Sequence, residues 1–198
     1  MSSNRSFTAR RGFTIVELMM VIGIIGILLG VVTTAASTSI TQARKRKAAA
    51  CCTIVEQALA TYYAQKGEWP APLGTKIANG SLNGDASDPD TYTLSVTDVN
   101  SMMREIIKEA KEGNPMMDIS GLFVSRSSKE PELKDGVYRP AKGAYGLDFM
   151  DAIRGTKQSK KKMTTSEMTF GYPHADGGFM PFKVTYSIPA DTMRVSQW

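Results

Sequence analysis

Apolar positions are distributed unevenly along this chain. From residue 13 to 37 the sequence reads FTIVELMMVIGIIGILLGVVTTAAS, and Glu17 is its one charge. Residues 18–37 form an uncharged stretch of 20 residues. A helix rises roughly 1.5 Å per residue, so that stretch crosses a ~30 Å hydrocarbon core. A secretory signal would carry an apolar region of only about 7–15 residues followed by a small-residue cleavage site. The pattern predicts a transmembrane or membrane-stored helix over 13–37. It continues as SITQARKRKAAACCTIVEQALATYYAQKG, where Ile40, Ala43, Lys47, Ala50, Ile54, Gln57, Ala58, Thr61, Tyr62 and Gln65 fall at three- and four-residue steps. That stripe predicts an amphipathic helix over 38–66, and the many alanines favour it. Gly67 fits a helix stop and Pro70 a chain turning away. No proline interrupts Val31-Val32-Thr33-Thr34, so one unbroken helix of 54 residues, 13–66, is expected. It would span roughly 80 Å, a length that suits a membrane, filament or coiled coil, although heptads are not sustained.

Past Gly67 the pattern becomes that of a globular head, 67–198. Residues 71–90, APLGTKIANGSLNGDASDPD, read as a loop rich in turn formers. Residues 91–96 alternate and suit a short strand. Thr97 and Asp98 can cap a helix over 99–111, with Met102, Met103, Ile106, Ile107 and Ala110 on one face. Gly113-Asn114-Pro115 would end it. A strand is expected over 118–125, a polar excursion over 126–143, and an exposed loop at KQSKKK, 157–162. A meander closes the chain, with strands over 168–172, 181–187 and 192–196. Asp176-Gly177-Gly178 and Ile188-Pro189-Ala190-Asp191 supply its turns. The expected fold class is α+β: a long N-terminal helix packed on a small antiparallel β-sheet head. Its 198 residues suit one domain with an appendage.

Charge sharpens the N-terminal part. The formal net charge is +5, and removing Arg5, Arg10 and Arg11, which precede the apolar stretch, lowers it by three to +2. The basic balance is therefore partly a leader property, and a nucleic-acid partner is not expected. The cluster Arg44, Lys45, Arg46, Lys47 on the far side nearly cancels the leader as a topology signal. It reads as a solvated helix face that could also meet phosphates. Glu17 needs a reason, because an unpartnered carboxylate among apolar groups is costly. Either it lies at headgroup level near the positive end of the helix dipole, or it receives a cation from another chain.

The segment R-G-F-T-I-V-E-L at 11–18 resembles the processing site of type IV prepilins and the pseudopilins of type II secretion. A short basic leader ends in Gly12, Phe13 follows, and Glu17 stands four residues later, before an apolar run. The resemblance covers roughly the first quarter of the chain. It implies a leader, 1–12, removed by a prepilin peptidase between Gly12 and Phe13 on the cytoplasmic side. It implies N-methylation of Phe13 and pairing of Glu17 with the Phe13 amine of a neighbouring subunit. The implied partners are that peptidase, other pilin or pseudopilin subunits in a filament, an inner-membrane assembly platform, and the lipid bilayer before assembly. The implied location is a single pass of the inner membrane, N-terminus cytoplasmic and head periplasmic, followed by the filament. Gly67-Glu68-Trp69-Pro70 is similar to the segment that closes the long helix in major pseudopilins, which points to a type II secretion pseudopilin. The alternative is a type IV pilin, major or minor, with DNA binding in uptake as one form of that reading. Many relatives carry a proline after the second apolar stretch, and this chain does not.

No catalytic constellation is legible, and no enzyme activity is expected. The one histidine, His174, sits in GYPHADGG and reads as a turn residue. No cofactor is expected. The resemblance allows calcium in the head, but Asp85, Asp88 and Asp90 lack the spacing of a calcium loop. The adjacent Cys51 and Cys52 read as small helix residues, with interchain pairing as the sharper option; a bond between helical neighbours would be strained.

Overall fold

The computed structural model describes residues 13–111, 121–127, 129–156 and 161–198. The chain falls into two compact units, Met1–Ile40 and Thr41–Trp198. A single helix, α1 (Ile15–Lys66), contributes to each and runs 52 residues without a break. The absence of proline between its apolar and polar halves explains that continuity. Gly67 ends it with a φ of +73°, donating its N–H to the Tyr63 carbonyl at 2.8 Å. A left-handed residue there suits glycine, which has no Cβ to clash.

Among the described residues of the first unit α1 is the one regular element. The large apolar side chains from Phe13, just before the helix, through Val32 are exposed, and Phe13 retains 77% of its accessible surface. A belt of small polar residues follows. Thr33, Thr34, Ser37, Thr38 and Ser39 each turn their hydroxyl back to a helix carbonyl three or four residues earlier, most at 2.8–3.0 Å.

The second unit begins where α1 acquires a buried face. That face is Ala48, Cys51, Cys52, Val55, Ala58, Leu59 and Tyr62. It differs from the stripe expected from the sequence, which shared only Ala58 and Tyr62 with it. Lys47 and Gln57 on the expected stripe are exposed, as their charge and polarity demand. The true stripe turns the helix so that Val55 and Leu59 go inward, and both thiols with them. Burial raises the pKa of each thiol, that of Cys52 to about 12. Cys51 donates its S–H to the Gly121 carbonyl at 3.3 Å. Both cysteines are free and inaccessible, which removes them from pairing with another chain in this state.

After α1 come α2 (Leu73–Ala78), β1 (Thr91–Thr93), α3 (Val96–Lys111), β2 (Phe123–Ser125), β3 (Glu132–Lys134), β4 (Val137–Arg139), β5 (Leu147–Asp148), α4 (Phe149–Arg154), β6 (Thr169–Pro173), β7 (Phe179–Pro181), β8 (Lys183–Ser187) and β9 (Thr192–Ser196). The described strands pair antiparallel in three sheets, ordered β1-β8-β9, β5-β2-β6-β7 and β3-β4. The head is thus α+β, with its core between α1, α3 and the inner faces of the two larger sheets. On β8 and β9, Val184, Tyr186, Met193 and Val195 point inward, as strand alternation requires.

Several boundaries differ from the sequence expectation. Residues 71–90 contain the short helix α2, whose Gly74 lies against the Trp69 carbonyl; a Cβ there would approach that oxygen to 2.2 Å. Helix α3 starts three residues early, because Ser95 is the cap: its Oγ accepts the Asp98 N–H at 3.1 Å. The polar excursion 126–143 holds the β3–β4 hairpin, whose turn is Asp135-Gly136 with φ of +54° and +74°. That dipeptide is the favoured two-residue hairpin turn. The strand over 181–187 is two, because Pro181 and Phe182 carry the chain from one sheet to another. The strand over 118–125 is observed only from Phe123. Residues 112–120, with Gly113-Asn114-Pro115, lie outside the described residues, as do 157–160 of the lysine loop and the leader 1–12.

One buried polar contact joins α3 to the four-stranded sheet. Asn100, 5% exposed, accepts the Phe170 N–H through Oδ1 at 2.8 Å. Asn100→Ala leaves that amide without a partner in the core. The expected loss is about 1–3 kcal/mol, read as a lowered urea midpoint with an unchanged slope.

Candidate assembly segment and the clasp at its helix end

Site chemistry is concentrated at the two ends of α1. At the N-terminal end, Thr14 and Glu17 form a reciprocal cap. The Glu17 N–H donates to Thr14 Oγ1 at 3.2 Å, and Glu17 Oε2 accepts both the Thr14 N–H and its hydroxyl at 2.9 Å. This is a capping box, and T-x-x-E at 14–17 is its sequence signature. It satisfies donors that a helix start leaves open. The carboxylate also lies at the positive end of the helix dipole. Oε2 carries both Thr14 bonds, and Oε1 has no partner among the described residues. The cap thus holds Glu17 in place with acceptor capacity to spare. Phe13 is exposed beside it, and Gly12 lies outside the described residues.

The surroundings of Gly23, Gly26 and Gly30 are open. A Cβ built on any of them meets nothing within 4 Å. Inside this one chain, therefore, nothing requires glycine at these positions. The helix containing them is long and apolar enough to cross a membrane by length and composition.

At the C-terminal end of α1, the Trp69-Pro70 element is built into the head. Trp69 stacks on Tyr63 with ring centroids 4.4 Å apart and meets Tyr186 edge-on at 6.3 Å. Three donors converge on Asp191, in the turn between β8 and β9: the Tyr63 hydroxyl at 2.6 Å, the Trp69 indole N–H at 2.8 Å and the Tyr186 hydroxyl at 2.8 Å. Asp191 holds a φ of +47° to reach them, a conformation that Asp tolerates better than most residues. A second carboxylate, Glu105 on α3, accepts the Tyr62 hydroxyl and the Ala71 N–H, each at 2.7 Å. Two acids thereby bind the end of α1 to α3 and to the β8–β9 turn. Neither acid was singled out from the sequence, since the separations of 128 and 43 residues leave no local pattern.

The remaining candidates are ordinary. Lys47 pairs with Asp148 at 2.6 Å and lies over the Phe123 ring, and Arg44 donates to the Ala175 carbonyl at 3.3 Å. Half of the basic cluster is therefore used within the head. His174 accepts the Asp176 N–H at Nδ1 in a turn. Asp85 and Asp88 accept from Thr93 and Thr91. Among the described residues no group of three or more His, Cys, Asp or Glu is placed to hold a metal ion.

Known proteins can now be set beside this geometry: an α+β head on a helix whose apolar half is bare and begins with a capped acid. Residues 2–33 match the family model described as a prokaryotic N-terminal methylation motif. A fimbrial protein of Neisseria meningitidis serogroup A is 31% identical over 128 residues, which is 63% of this chain and 69% of that one. The fimbrial protein EcpC of Eikenella corrodens is 33% identical over 75 residues, 38% of this chain and 49% of that protein. No solved structure gives a significant match. The chain belongs to the type IV pilin family.

The clasp gives a pH test. Burial opposes ionisation of Asp191, but donation from Tyr63, Trp69 and Tyr186 prevails and holds its carboxyl below the usual carboxylate range. A folded value below the unfolded one, about 3.9, stabilises the native state fully above pH ~4. That contribution is lost as acid carries the group through its folded value. Asp191→Asn should therefore lower stability at pH 7, and its gap from the parent protein should close below about pH 4. Thermal melts across pH 3–7 make the measurement; a constant gap would rule out a role for the charge.

Proposed function

We propose that this protein is a structural subunit of a type IV pilus-like filament, processed between Gly12 and Phe13 and assembled through α1. The observation that carries the reading is the bare apolar surface of α1 from Phe13 through Val32. Leaving so many large side chains in water is untenable, because burying each one is worth about 1.5–3 kcal/mol. A bilayer covers them before assembly, and the helices of neighbouring subunits cover them afterwards. Cleavage after Gly12 would create an α-amine on Phe13, one helix turn from Glu17. In a stack of such helices the amine of one subunit meets the Glu17 carboxylate of the next, and Oε1 can accept it without loss of the Thr14 cap. An unpaired acid in an apolar helix bundle is strongly unfavourable, so this pairing would set the register between subunits. Gly26 and Gly30, at G-x-x-x-G spacing, would permit close helix approach.

The partners in this reading are a prepilin peptidase, further pilin subunits and an inner-membrane assembly platform. The N-terminus lies in the cytoplasm and the head in the periplasm. Within the family, Gly67-Glu68-Trp69-Pro70 favours a type II secretion pseudopilin, whereas the similarity to fimbrial proteins favours a pilus subunit. Deleting the gene separates the two: lost export with intact surface fibres supports the pseudopilin, and lost fibres with intact export supports the pilin.

Mass spectrometry of the mature protein is expected to show an N-terminus at Phe13 carrying one added methyl. An uncleaved Met1 start, or a cut elsewhere, would overturn the processing. Glu17→Leu should leave membrane insertion intact and abolish incorporation into filaments. Filaments built normally from that variant would exclude the pairing.

A further inference from the structure

A groove of about 310 Å³ opens on the head between the end of β1, the start of α3 and the β3–β4 hairpin. Its walls include Tyr92, Ser95, Glu130, Pro131, Tyr138 and Trp198. The rings of Tyr138 and Trp198 lie 4.6 Å apart, tilted by 56°. The Trp198 backbone N–H is held by the Tyr172 hydroxyl at 2.8 Å, which anchors that end of the wall. The Trp198 indole N–H is buried without an acceptor. Most such groups find a partner. Nothing in the filament reading uses this groove.

The chemistry of the walls narrows the ligand. A cation is disfavoured by charge, because two ammonium groups already stand at the rings: Lys76 Nζ lies 5.3 Å from the Tyr92 ring centre and Lys183 Nζ 5.5 Å from that of Trp198. An anion is disfavoured by the Glu130 carboxylate, which has no ion pair to a described residue. A wholly apolar ligand would desolvate Glu130 and Ser95 and give them nothing in return. A peptide added as a strand is blocked, because the outer edge of β1 is already capped: the Asp85 N–H donates to the Thr91 carbonyl at 2.7 Å, and the Thr91 N–H to the Asp88 carbonyl at 3.1 Å. What remains is a small neutral molecule with an apolar face and hydroxyls around its rim.

We propose that this groove binds a neutral saccharide ring. The C–H face of the sugar would lie on the aromatic pair Tyr138 and Trp198. Its hydroxyls would donate to the Glu130 carboxylate. The volume is at the lower end for a ligand pocket and suits one or two sugar rings.

The test uses the full chain in a zwitterionic detergent, since glycosidic detergents would themselves compete. A Trp69→Phe background leaves Trp198 as the one fluorescent indole, as the chain has two tryptophans. Lactose, maltose, cellobiose and N,N′-diacetylchitobiose are titrated in turn. At least one should change Trp198 emission saturably. Tyr138→Ala should weaken that binding about tenfold, the equivalent of about 1.4 kcal/mol. Should Tyr138→Ala disturb the hairpin, Glu130→Gln, which keeps the shape, should still weaken it several-fold with an unchanged thermal melt. No saturable response to any of the four sugars overturns the proposal. So does binding that is unaltered in Glu130→Gln, or a saturable response to tetramethylammonium or a proline-rich peptide with none to sugars.

Discussion

One face of α1, from Ala48 to Tyr62, is the centre of the head's core, and the other elements of the head are arranged around it. Val55 and Leu59 belong to one buried apolar cluster with residues of α3 and of the two larger sheets. Removing a side chain of that kind from a packed core costs about 2–5 kcal/mol, a large share of the stability of any domain this size. The head therefore cannot be regarded as a separate globule to which a helix was added. The helix that carries the bare apolar surface is the same helix that organises the core.

Polar groups then fix how the helix is held. At its far end Asp191 and Glu105 draw in side chains and an amide from α1 and the chain just after it. Tyr63, Trp69 and Tyr186 gather on one carboxylate, and Tyr62 and Ala71 on the other. At the near end Thr14 and Glu17 close the first turn on themselves. Each terminus of a 52-residue helix is thus finished by an acid. The near one retains an unfilled oxygen among the described residues, and the far one is saturated by three donors. That contrast separates a group that is available to a partner from one that is consumed by the fold.

The sequence made the local features legible and left the distant ones hidden. The long helix, its stop at Gly67, the turn at Asp176-Gly177-Gly178 and strand 192–196 all follow from residues close together in the chain. The buried stripe of α1 was misplaced because Lys47 and Gln57 fall at helical spacing, and spacing alone does not say which side is inward. The core settles that, through Val55, Leu59 and two cysteines. The β3–β4 hairpin had its signal in Asp135-Gly136, but charged strands hid it. The capping box at 14–17 also has a local signature, T-x-x-E, and Glu17 has its partner three residues away in Thr14. The contacts of Asn100, Glu105 and Asp191 have no local trace. The leader and the Phe13 junction are read from the motif at 11–18 alone, and residues 1–12 lie outside the described ones.

The hydroxyl belt of α1 carries one more consequence. Thr33, Thr34, Thr38 and Ser39 take their acceptors from the helix itself, so none of them depends on water to satisfy its donor. Hydroxyls arranged this way also tend to loosen and bend the helix slightly. The belt is therefore nearly indifferent to its surroundings, and wetting or drying it changes little. A protein that has to be drawn out of one medium and seated in another meets its steepest resistance at whatever zone crosses the boundary. In that zone of this chain the hydroxyl donors already have acceptors in the helix, so they need none from either medium.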